Sequence, residues 1–294
     1  MKAELFYPSQ DITGEGATWI DNKNSLLWVN IEACELHRYQ MLTQQMTTVN
    51  LGRMASTIIP WMGNRVVVAL QGRLVSYDLE TGVMGPLVEI VPGLSDVRPN
   101  DGKASPDGRM FIGVMNMRNH KETGALYRVD PDFSLHKVLD HQYIPNGIVW
   151  SADGERMYYN DTGRHVIEQY RYDKASGAIH FERVAVSIGP DVGGPDGMTI
   201  DADDNLWVAQ WGGSGVYVYD PDTSKLIDKV EVPVPNVASC SFGREGQLFI
   251  TTARAGLSAE RLKKYPLSGS VFTVQTSYKG ARNNYSFKGM IASL

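Results

Sequence analysis

The chain has 294 residues, of which 43% are hydrophobic and 21% are charged, as is usual for a globular protein with a large core. Its formal net charge of -5 and its lack of a basic run argue against a nucleic-acid-binding surface. No apolar segment resembles a signal peptide or is long enough to span a bilayer, so we expect no membrane association. Cys34 and Cys240 are far apart and neither belongs to a CxxC pair, which predicts two reduced structural thiols and a cytoplasmic location.

Short apolar strands recur along the chain. A first strand is predicted at residues 2–8, and six further strands each follow a small polar turn. These six strands are predicted at 24–30, 64–70, 108–114, 155–161, 205–211 and 247–253. Their matched positions are Trp28, Val68, Phe111, Tyr158, Trp207 and Phe249, separated by 40, 43, 47, 49 and 42 residues. This spacing indicates six copies of one unit.

Each unit contains further strand signals after its first apolar strand. Residues 73–78 and 215–220 alternate apolar and polar side chains, as half-buried strands do, and residues 225–232 suggest another strand beyond them. About four short strands repeated radially are typical of a β-propeller. We therefore predict an all-β, six-bladed β-propeller forming a single domain over residues 1–294, closed by pairing of the first strand with residues 270–276.

A second repeated feature is a proline followed by Asn or Asp near a glycine. It reads RPNDG at 98–102, IPNG at 144–147 and GPDG at 194–197. Interpreted as turns that enter the innermost strands, these segments should bring their polar residues together at one end of the central channel. The candidate residues, which stand near the equivalent position of successive repeats, are Glu15, Asn100, Asp101, Asn146, Asp196 and Asn236. Carboxylates and amides without His or Cys predict an oxygen-only site suited to Ca²⁺, Mg²⁺ or Mn²⁺, although zinc also accepts carboxylates.

These segments carry a family resemblance. The motifs are GEGATW (14–19), RPNDGKASPDGRMFIGVM (98–115), PNGIVWSADGERMYYNDT (145–162), PDGMTIDADDNLWVAQWGG (195–213) and FGREGQLFITTA (242–253). Together they resemble the senescence marker protein/gluconolactonase family, which includes regucalcin-like lactonases, over nearly the whole chain. The resemblance implies a six-bladed propeller with one divalent metal on its axis, Ca²⁺ being favoured and Zn²⁺, Mg²⁺ or Mn²⁺ being alternatives.

The resemblance also implies roles for individual residues. It assigns metal binding to Glu15, Asn146 and Asp196, substrate binding to Arg98 and Asn100, and the role of catalytic base to Asp196. Some positions depart from the family pattern, and two of them are Ala17, where proline is usual, and Arg244, where glycine is usual. Arg118 stands near a place where some members have an acidic substrate-binding residue, which leaves the choice of lactone open.

The expected function is that of a gluconolactonase-like enzyme, a metal-dependent hydrolase that opens a sugar lactone. No Gly-x-Ser-x-Gly segment is present, so a serine esterase is not indicated. Trp19, Met115 and Trp211 follow the motifs and are candidates either for the pocket wall or for the core. Two alternatives remain: a related metallohydrolase acting on organophosphate esters or other lactones, and a non-catalytic calcium-binding propeller.

Overall fold

Six four-stranded antiparallel sheets are arranged as the blades of a β-propeller around one axis. The computed structural model describes residues 1–118, 122–281 and 285–290. Strand β1 (Glu4–Tyr7) precedes the first blade. Blade 1 comprises β2 (Gly14–Ile20), β3 (Ser25–Asn30), β4 (Glu35–Gln40) and β5 (Gln45–Asn50), and blade 2 comprises β6 (Ala55–Pro60), β7 (Arg65–Leu70), β8 (Arg73–Asp78) and β9 (Met84–Glu89).

The remaining blades follow the same plan, with the first strand innermost. Blade 3 comprises β10 (Val97–Ala104), β11 (Met110–Asn116), β12 (Gly124–Val129) and β13 (Leu135–Gln142), and blade 4 comprises β14 (Pro145–Trp150), β15 (Arg156–Asp161), β16 (Val166–Asp173) and β17 (Ala178–Ser187). Blade 5 comprises β18 (Gly194–Ile200), β19 (Leu206–Trp211), β20 (Gly215–Asp220) and β21 (Lys225–Glu231), and blade 6 comprises β22 (Val237–Phe242), β23 (Gln247–Thr252), β24 (Val271–Gln275) and β1.

The repeat position identified from the sequence lies in the second strand of every blade. Its side chains are completely buried in all six blades: Trp28, Val68, Phe111, Tyr158, Trp207 and Phe249 have no exposed surface. These side chains belong to apolar clusters that join neighbouring blades, such as the contact of Phe111 with Trp150 and Tyr172. The regular spacing arises because each blade buries one apolar residue at the equivalent position of its second strand.

The ring is closed by the two ends of the chain. β1 pairs antiparallel with β24, with Leu5 opposite Phe272, so the N-terminal strand is the outer strand of the last blade. This confirms the predicted closure, in which strands from the two ends of the chain share one blade.

Residues 276–281 and 285–290, which follow β24, lie at the end of the axis away from the candidate site. The backbone of Phe287 donates to Pro60, that of Lys288 donates to Gly108, and that of Ala202 donates to Lys279. The side chain of Phe287 is 2% exposed and packs against Trp61. These contacts attach the C-terminal segment to several blades.

Helical structure is confined to short segments. One α-helix, α1 (Ala259–Lys264), and 3₁₀ turns at Asp21–Lys23, Thr162–Arg164, Pro190–Val192 and Arg244–Gly246 occur in the described residues. No residue of α1 is buried. No helix in the described ranges has the length and apolar character needed to cross a membrane. Both cysteines are free thiols.

Candidate active site

The innermost strands deliver the polar residues of the repeated motif to one end of the axis. Glu15 comes from β2, Asn100 from β10, Asn146 from β14 and Asp196 from β18, and each is at most 8% exposed. All four line one cavity of about 450 Å³. The structure thus brings together residues that are far apart in the chain, and it places Arg98 of β10 in the same cavity.

The local conformation of the motif differs from the predicted turn. Pro99, Pro145 and Pro195 and the residues after them lie within the innermost strands themselves. At each of them the register with the next strand shifts, as in a β-bulge: between Pro99 and Gly102, Pro145 and Ile148, and Pro195 and Met198. A bulge adds a residue that pairs with no partner strand and redirects its side chain. The prediction of turns was therefore wrong. The predicted convergence is observed for Glu15, Asn100, Asn146 and Asp196, but it was wrong for Asp101 and Asn236, which do not line this cavity.

Glu15 and Asp196 form a buried pair of carboxyl groups. The Glu15 Oε2 atom accepts a hydrogen bond of 3.0 Å from the backbone of Gly16, and the two side chains are hydrogen-bonded to each other. Burial, followed by the charge of Asp101, raises the pKa of Glu15 from 4.5 to about 8. Burial and the charges of Glu15 and Asp101 raise the pKa of Asp196 well above its usual range. Two adjacent carboxylates with little solvent are stabilised in their charged forms by a bound cation.

Asn146 supplies an unpaired oxygen beside this pair. Its Nδ2 group donates to Thr162 Oγ1 at 2.9 Å, and Thr162 in turn donates to the Pro195 carbonyl at 2.7 Å. This arrangement fixes the amide so that Oδ1 points away from Thr162, and Oδ1 is buried without a hydrogen-bond partner. An orphaned amide oxygen next to two carboxylates matches the donor set that hard divalent cations prefer.

The described residues contain no cluster of three or more His, Cys, Asp or Glu side chains that could hold a metal. Glu15 and Asp196 are only two acidic groups, and the third oxygen comes from the amide of Asn146. The residues present therefore fit a divalent cation through a mixed carboxylate and amide set, which agrees with the oxygen-only character expected from the sequence.

Arg98 and Asn100 are coupled on the wall of the same cavity. Arg98 Nη1 donates to Asn100 Oδ1 at 2.6 Å and to the Pro99 carbonyl at 2.9 Å, while Asn100 Nδ2 donates to the Pro145 carbonyl at 2.8 Å. Burial lowers the pKa of Arg98, and the negative charges of Glu32 and Glu15 oppose that effect. The guanidinium thus remains a cation held against the acidic centre, where it can face a polar substrate.

A second, smaller cavity of about 20 Å³ lies along the axis beside Asp101 and Lys103. Lys103 Nζ donates to the Met198 carbonyl at 2.9 Å, and burial lowers its pKa despite the neighbouring charge of Asp101. Burial likewise raises the pKa of Asp101, and Lys103 opposes that change. Asp101 therefore lines the axial cavity next to a cation, apart from the larger cavity that contains Glu15. Sequence reasoning missed Lys103, although it stands two residues after Asp101 in a quoted motif.

The other candidates are distributed between the wall, the core and the surface. Asn236 donates to the Ala255 carbonyl at 2.8 Å and fixes a loop. Met115 and Trp211 line the large cavity, whereas Trp19 stacks on Phe249 at 5.7 Å and belongs to the core.

Arg118 does not line the large cavity. Its side chain is 71% exposed, and its Nε atom lies 3.8 Å from Asp96 Oδ2. Sequence reasoning also missed Ile144 and Thr162, which lie in quoted motifs, and wall residues outside any motif, namely Thr13, Ile31, Glu32, Met54, Met117 and Ala255. These residues come from loops, and they line the cavity only because of how the blades are arranged around the axis.

Comparison with known proteins gives a consistent match. The model of the SMP-30/Gluconolactonase/LRE-like region matches residues 13–254. Regucalcin from Danio rerio is 33% identical over 278 residues, covering 93% of this chain and 94% of the relative. L-arabinolactonase from Azospirillum brasilense is also 33% identical, over 283 residues that cover 95% of this chain and 93% of the relative. The crystal structure of a calcium-binding protein, regucalcin, from Agrobacterium tumefaciens superimposes with a TM-score of 0.93 at 27% identity, covering 99% of this chain and 98% of the other.

Proposed function

Because the chain belongs to the SMP-30/gluconolactonase/LRE-like family, we propose that it is a metal-dependent hydrolase that opens the ring of a sugar lactone. The observation that carries this proposal is the buried group formed by Glu15, Asn146 and Asp196 at the floor of a 450 Å³ cavity, in which the Asn146 Oδ1 atom has no partner. The similarity to an L-arabinolactonase over most of both chains supports the same reaction class.

We assign the metal to Glu15, Asn146 and Asp196, with Ca²⁺ favoured over Mg²⁺, Mn²⁺ and Zn²⁺. The similarity to a protein described as calcium-binding supports this choice. A divalent cation bound there would act as a Lewis acid on the lactone carbonyl and would increase the acidity of a water molecule.

The remaining steps belong to side chains of the protein. Asp196 accepts the proton of the attacking water as a general base, from the carboxylate form that the bound cation would stabilise. Arg98 binds the ester oxygens or hydroxyl groups of the lactone through its free N–H groups, and Asn100 holds the guanidinium in place. Met115 and Trp211 exclude bulk water from the reacting ester.

Kinetic measurements with purified protein test this proposal. After treatment with EDTA, the protein is assayed against aldonolactones with Ca²⁺, Mg²⁺, Mn²⁺ or Zn²⁺ added singly, and ring opening is followed by proton release. We expect hydrolysis that EDTA abolishes and one of these metals restores. An organophosphate ester and a simple alkyl lactone in the same panel test the related metallohydrolase. Calcium binding without hydrolysis of any ester would support the non-catalytic alternative and contradict the proposal.

A further inference from the structure

Glu32 places a carboxyl group on the wall of the large cavity, apart from the pair of carboxyl groups assigned to the metal. It follows β3 in blade 1, and it lines the same cavity as Arg98. Among the described residues of this wall, Glu32 is the only acidic residue besides Glu15 and Asp196. No step of the proposed reaction uses this group.

The loop that carries Glu32 is fixed by hydrogen bonds. The backbone of Ile31 donates to the Thr13 carbonyl at 3.0 Å, and the backbone of Cys34 donates to the Ile31 carbonyl at 3.1 Å, which closes a turn around Glu32. The Thr13 Oγ1 atom donates to Glu32 Oε1 at 3.1 Å. The backbone and one carboxylate oxygen are therefore held in place, although the residue is exposed.

The second carboxylate oxygen of Glu32 is available to a ligand. Within the described chain, Glu32 Oε2 accepts no hydrogen bond, and the carboxylate forms no direct ion pair with Arg98. Its charge nevertheless acts on Arg98 and is the largest of those that oppose the lowering of the Arg98 pKa by burial. Arg98 donates through Nη1 alone, so its Nε and Nη2 groups have no acceptor among the described residues. The two groups are thus near each other, and neither one occupies the other.

Arg98 and Glu32 have opposite hydrogen-bonding character. A guanidinium only donates hydrogen bonds, whereas a carboxylate only accepts them. A ligand that binds both must therefore present an oxygen acceptor to Arg98 and a hydroxyl donor to Glu32. A lactone with ring hydroxyls meets both demands, because its ester oxygens accept and its hydroxyl groups donate. Hydrogen bonds to an ionised acceptor are also stronger than those between neutral groups.

From this pairing we propose that Glu32 is a substrate-binding residue, which accepts a hydrogen bond from one ring hydroxyl of the lactone through Oε2 and thereby selects among lactones. This inference rests on the proposed lactonase function and names a residue that determines its specificity. A lactone that lacks this hydroxyl would cover the carboxylate without giving it a donor, and the loss of hydrogen bonds to water would then be uncompensated. Glu32 binds and orients the substrate, and Asp196 remains the base.

The test compares lactones with analogues that each lack one hydroxyl group. D-Glucono-1,5-lactone and L-arabinono-1,4-lactone are assayed beside their monodeoxy analogues, with the divalent metal that gives the highest activity, for the wild type and Glu32→Ala. We expect Glu32→Ala to lower kcat/KM for a parent lactone by about 10- to 100-fold, the range for a hydrogen bond to a charged group. For one monodeoxy analogue of that lactone, the wild type and the variant should have equal kcat/KM.

Two further variants show whether the hydrogen bond at this position carries the effect. Glu32→Gln keeps an oxygen acceptor without the charge, so its loss for the parent lactone should be smaller than that of Glu32→Ala. Glu80→Gln is the matched control, since the exposed Glu80 carboxylate also accepts one side-chain hydrogen bond, from Lys23 at 3.0 Å, but lies outside the cavity. Its kcat/KM should equal that of the wild type for every lactone.

The outcomes separate this inference from the function on which it rests. Equal kcat/KM in the wild type and Glu32→Ala for every parent lactone that is hydrolysed overturns the inference and leaves the lactonase proposal standing. An equal loss for a parent lactone and all of its monodeoxy analogues also overturns it, because Glu32 would then act only through Arg98 or the loop. If no lactone is hydrolysed, the proposed function fails, and calorimetric titration of both proteins with the parent lactones decides the inference: weaker binding to Glu32→Ala supports it, and equal or undetectable binding overturns it.

Discussion

Two buried carboxyl groups that share a hydrogen bond define the chemistry of this site at the scale of single residues. Burial disfavours the charged forms of Glu15 and Asp196, and a negative charge on a neighbouring carboxylate disfavours them further. The positive charge of Arg98 opposes the shift of Glu15 only in part, because burial and the charge of Asp101 are the larger effects. The centre therefore gains most from a ligand that carries concentrated positive charge, and it also contains a carboxylate basic enough to accept a proton.

Substitution of Asp196 separates proton transfer from metal binding. Asp196→Asn keeps an oxygen donor but removes charge and basicity, so we expect kcat at saturating metal to fall by about 10²-fold or more. Calcium affinity, measured by calorimetry, should also fall. Arg98→Ala should retain the metal and raise KM. A near-normal kcat for Asp196→Asn at saturating metal would contradict the assignment of the base.

Lys103 provides a second test at this scale. Lys103→Met leaves Asp101 without its neighbouring cation in the narrow axial cavity. We expect the metal-free protein to lose about 1–3 kcal/mol in urea unfolding, because the buried Met198 carbonyl loses its donor and Asp101 loses the neighbouring positive charge. Lys23→Met is the control, since Lys23 pairs with Glu80 at the surface at 3.0 Å and should contribute less than 1 kcal/mol. Equal losses in the two variants would show that Lys103 has no special electrostatic role.

At the scale of elements, the innermost strands of the blades carry the polar residues of the candidate site. The six blades were predictable because each blade buries one apolar side chain, such as Trp28 or Trp207, at the equivalent position of the repeat. The bulge at each Pro-Asn or Pro-Asp was not predictable, since it depends on the register between two strands rather than on the pattern of either. The sequence therefore indicated the polar residues that converge, but it assigned them to turns and wrongly grouped Asp101 and Asn236 with them.

The wall of the cavity was less accessible to sequence reasoning than its floor. Met54 and Ile31 stand in different blades and share no motif, so only the closed ring places them on one surface. Lys103 resembles an ordinary exposed lysine in the sequence, and its position on the axis follows from the bulged strand. Residues at equivalent positions of the repeat could be identified from the sequence, whereas residues that meet only in the closed ring could not.

Glycine substitutions test the conformation of β2. Gly16 has φ of +62°, and a Cβ atom there would lie 3.1 Å from the Ser56 carbonyl oxygen. Gly63 has φ of +63° with no atom within 4 Å of the same position, which makes it a matched control. We expect Gly63→Ala to lose about 1 kcal/mol and Gly16→Ala about 2–3 kcal/mol in urea unfolding.

Only the Gly16 variant should weaken calcium binding, because the backbone of Gly16 donates to the Glu15 carboxylate. Calorimetric titration of both variants measures this difference. Equal calcium affinity in Gly16→Ala and Gly63→Ala would mean that the backbone of β2 does not position Glu15.

Closure of the ring makes the whole molecule respond to the charge at its axis. The inner strands of all six blades surround the axis, and β1 joins the last blade to the N-terminal end of the chain. Repulsion between Glu15 and Asp196 therefore acts between blades 1 and 5 rather than within one sheet. The stability of the entire propeller should depend on whether these carboxyl groups are protonated or bound to a cation.

This dependence predicts how pH and metal act together on stability. The pKa of Glu15 is about 8 in the folded protein and 4.5 ordinarily, so the folded state retains a proton that the unfolded state loses. The metal-free protein is therefore most stable, as far as this group is concerned, below pH 4.5, and it loses that contribution as pH rises to about 8. The raised pKa of Asp196 acts in the same direction.

Calcium binds the deprotonated carboxylates, so its stabilising effect should grow over the same range. Melting temperatures measured in EDTA and in saturating CaCl₂ should diverge as pH increases from about 4.5 to 8. Glu15→Gln should reduce this divergence, because it removes one of the two titrating groups and also removes a charge that raises the pKa of Asp196. A calcium-induced increase in melting temperature that does not vary with pH would contradict the assignment of Glu15 and Asp196 as the metal-binding carboxylates.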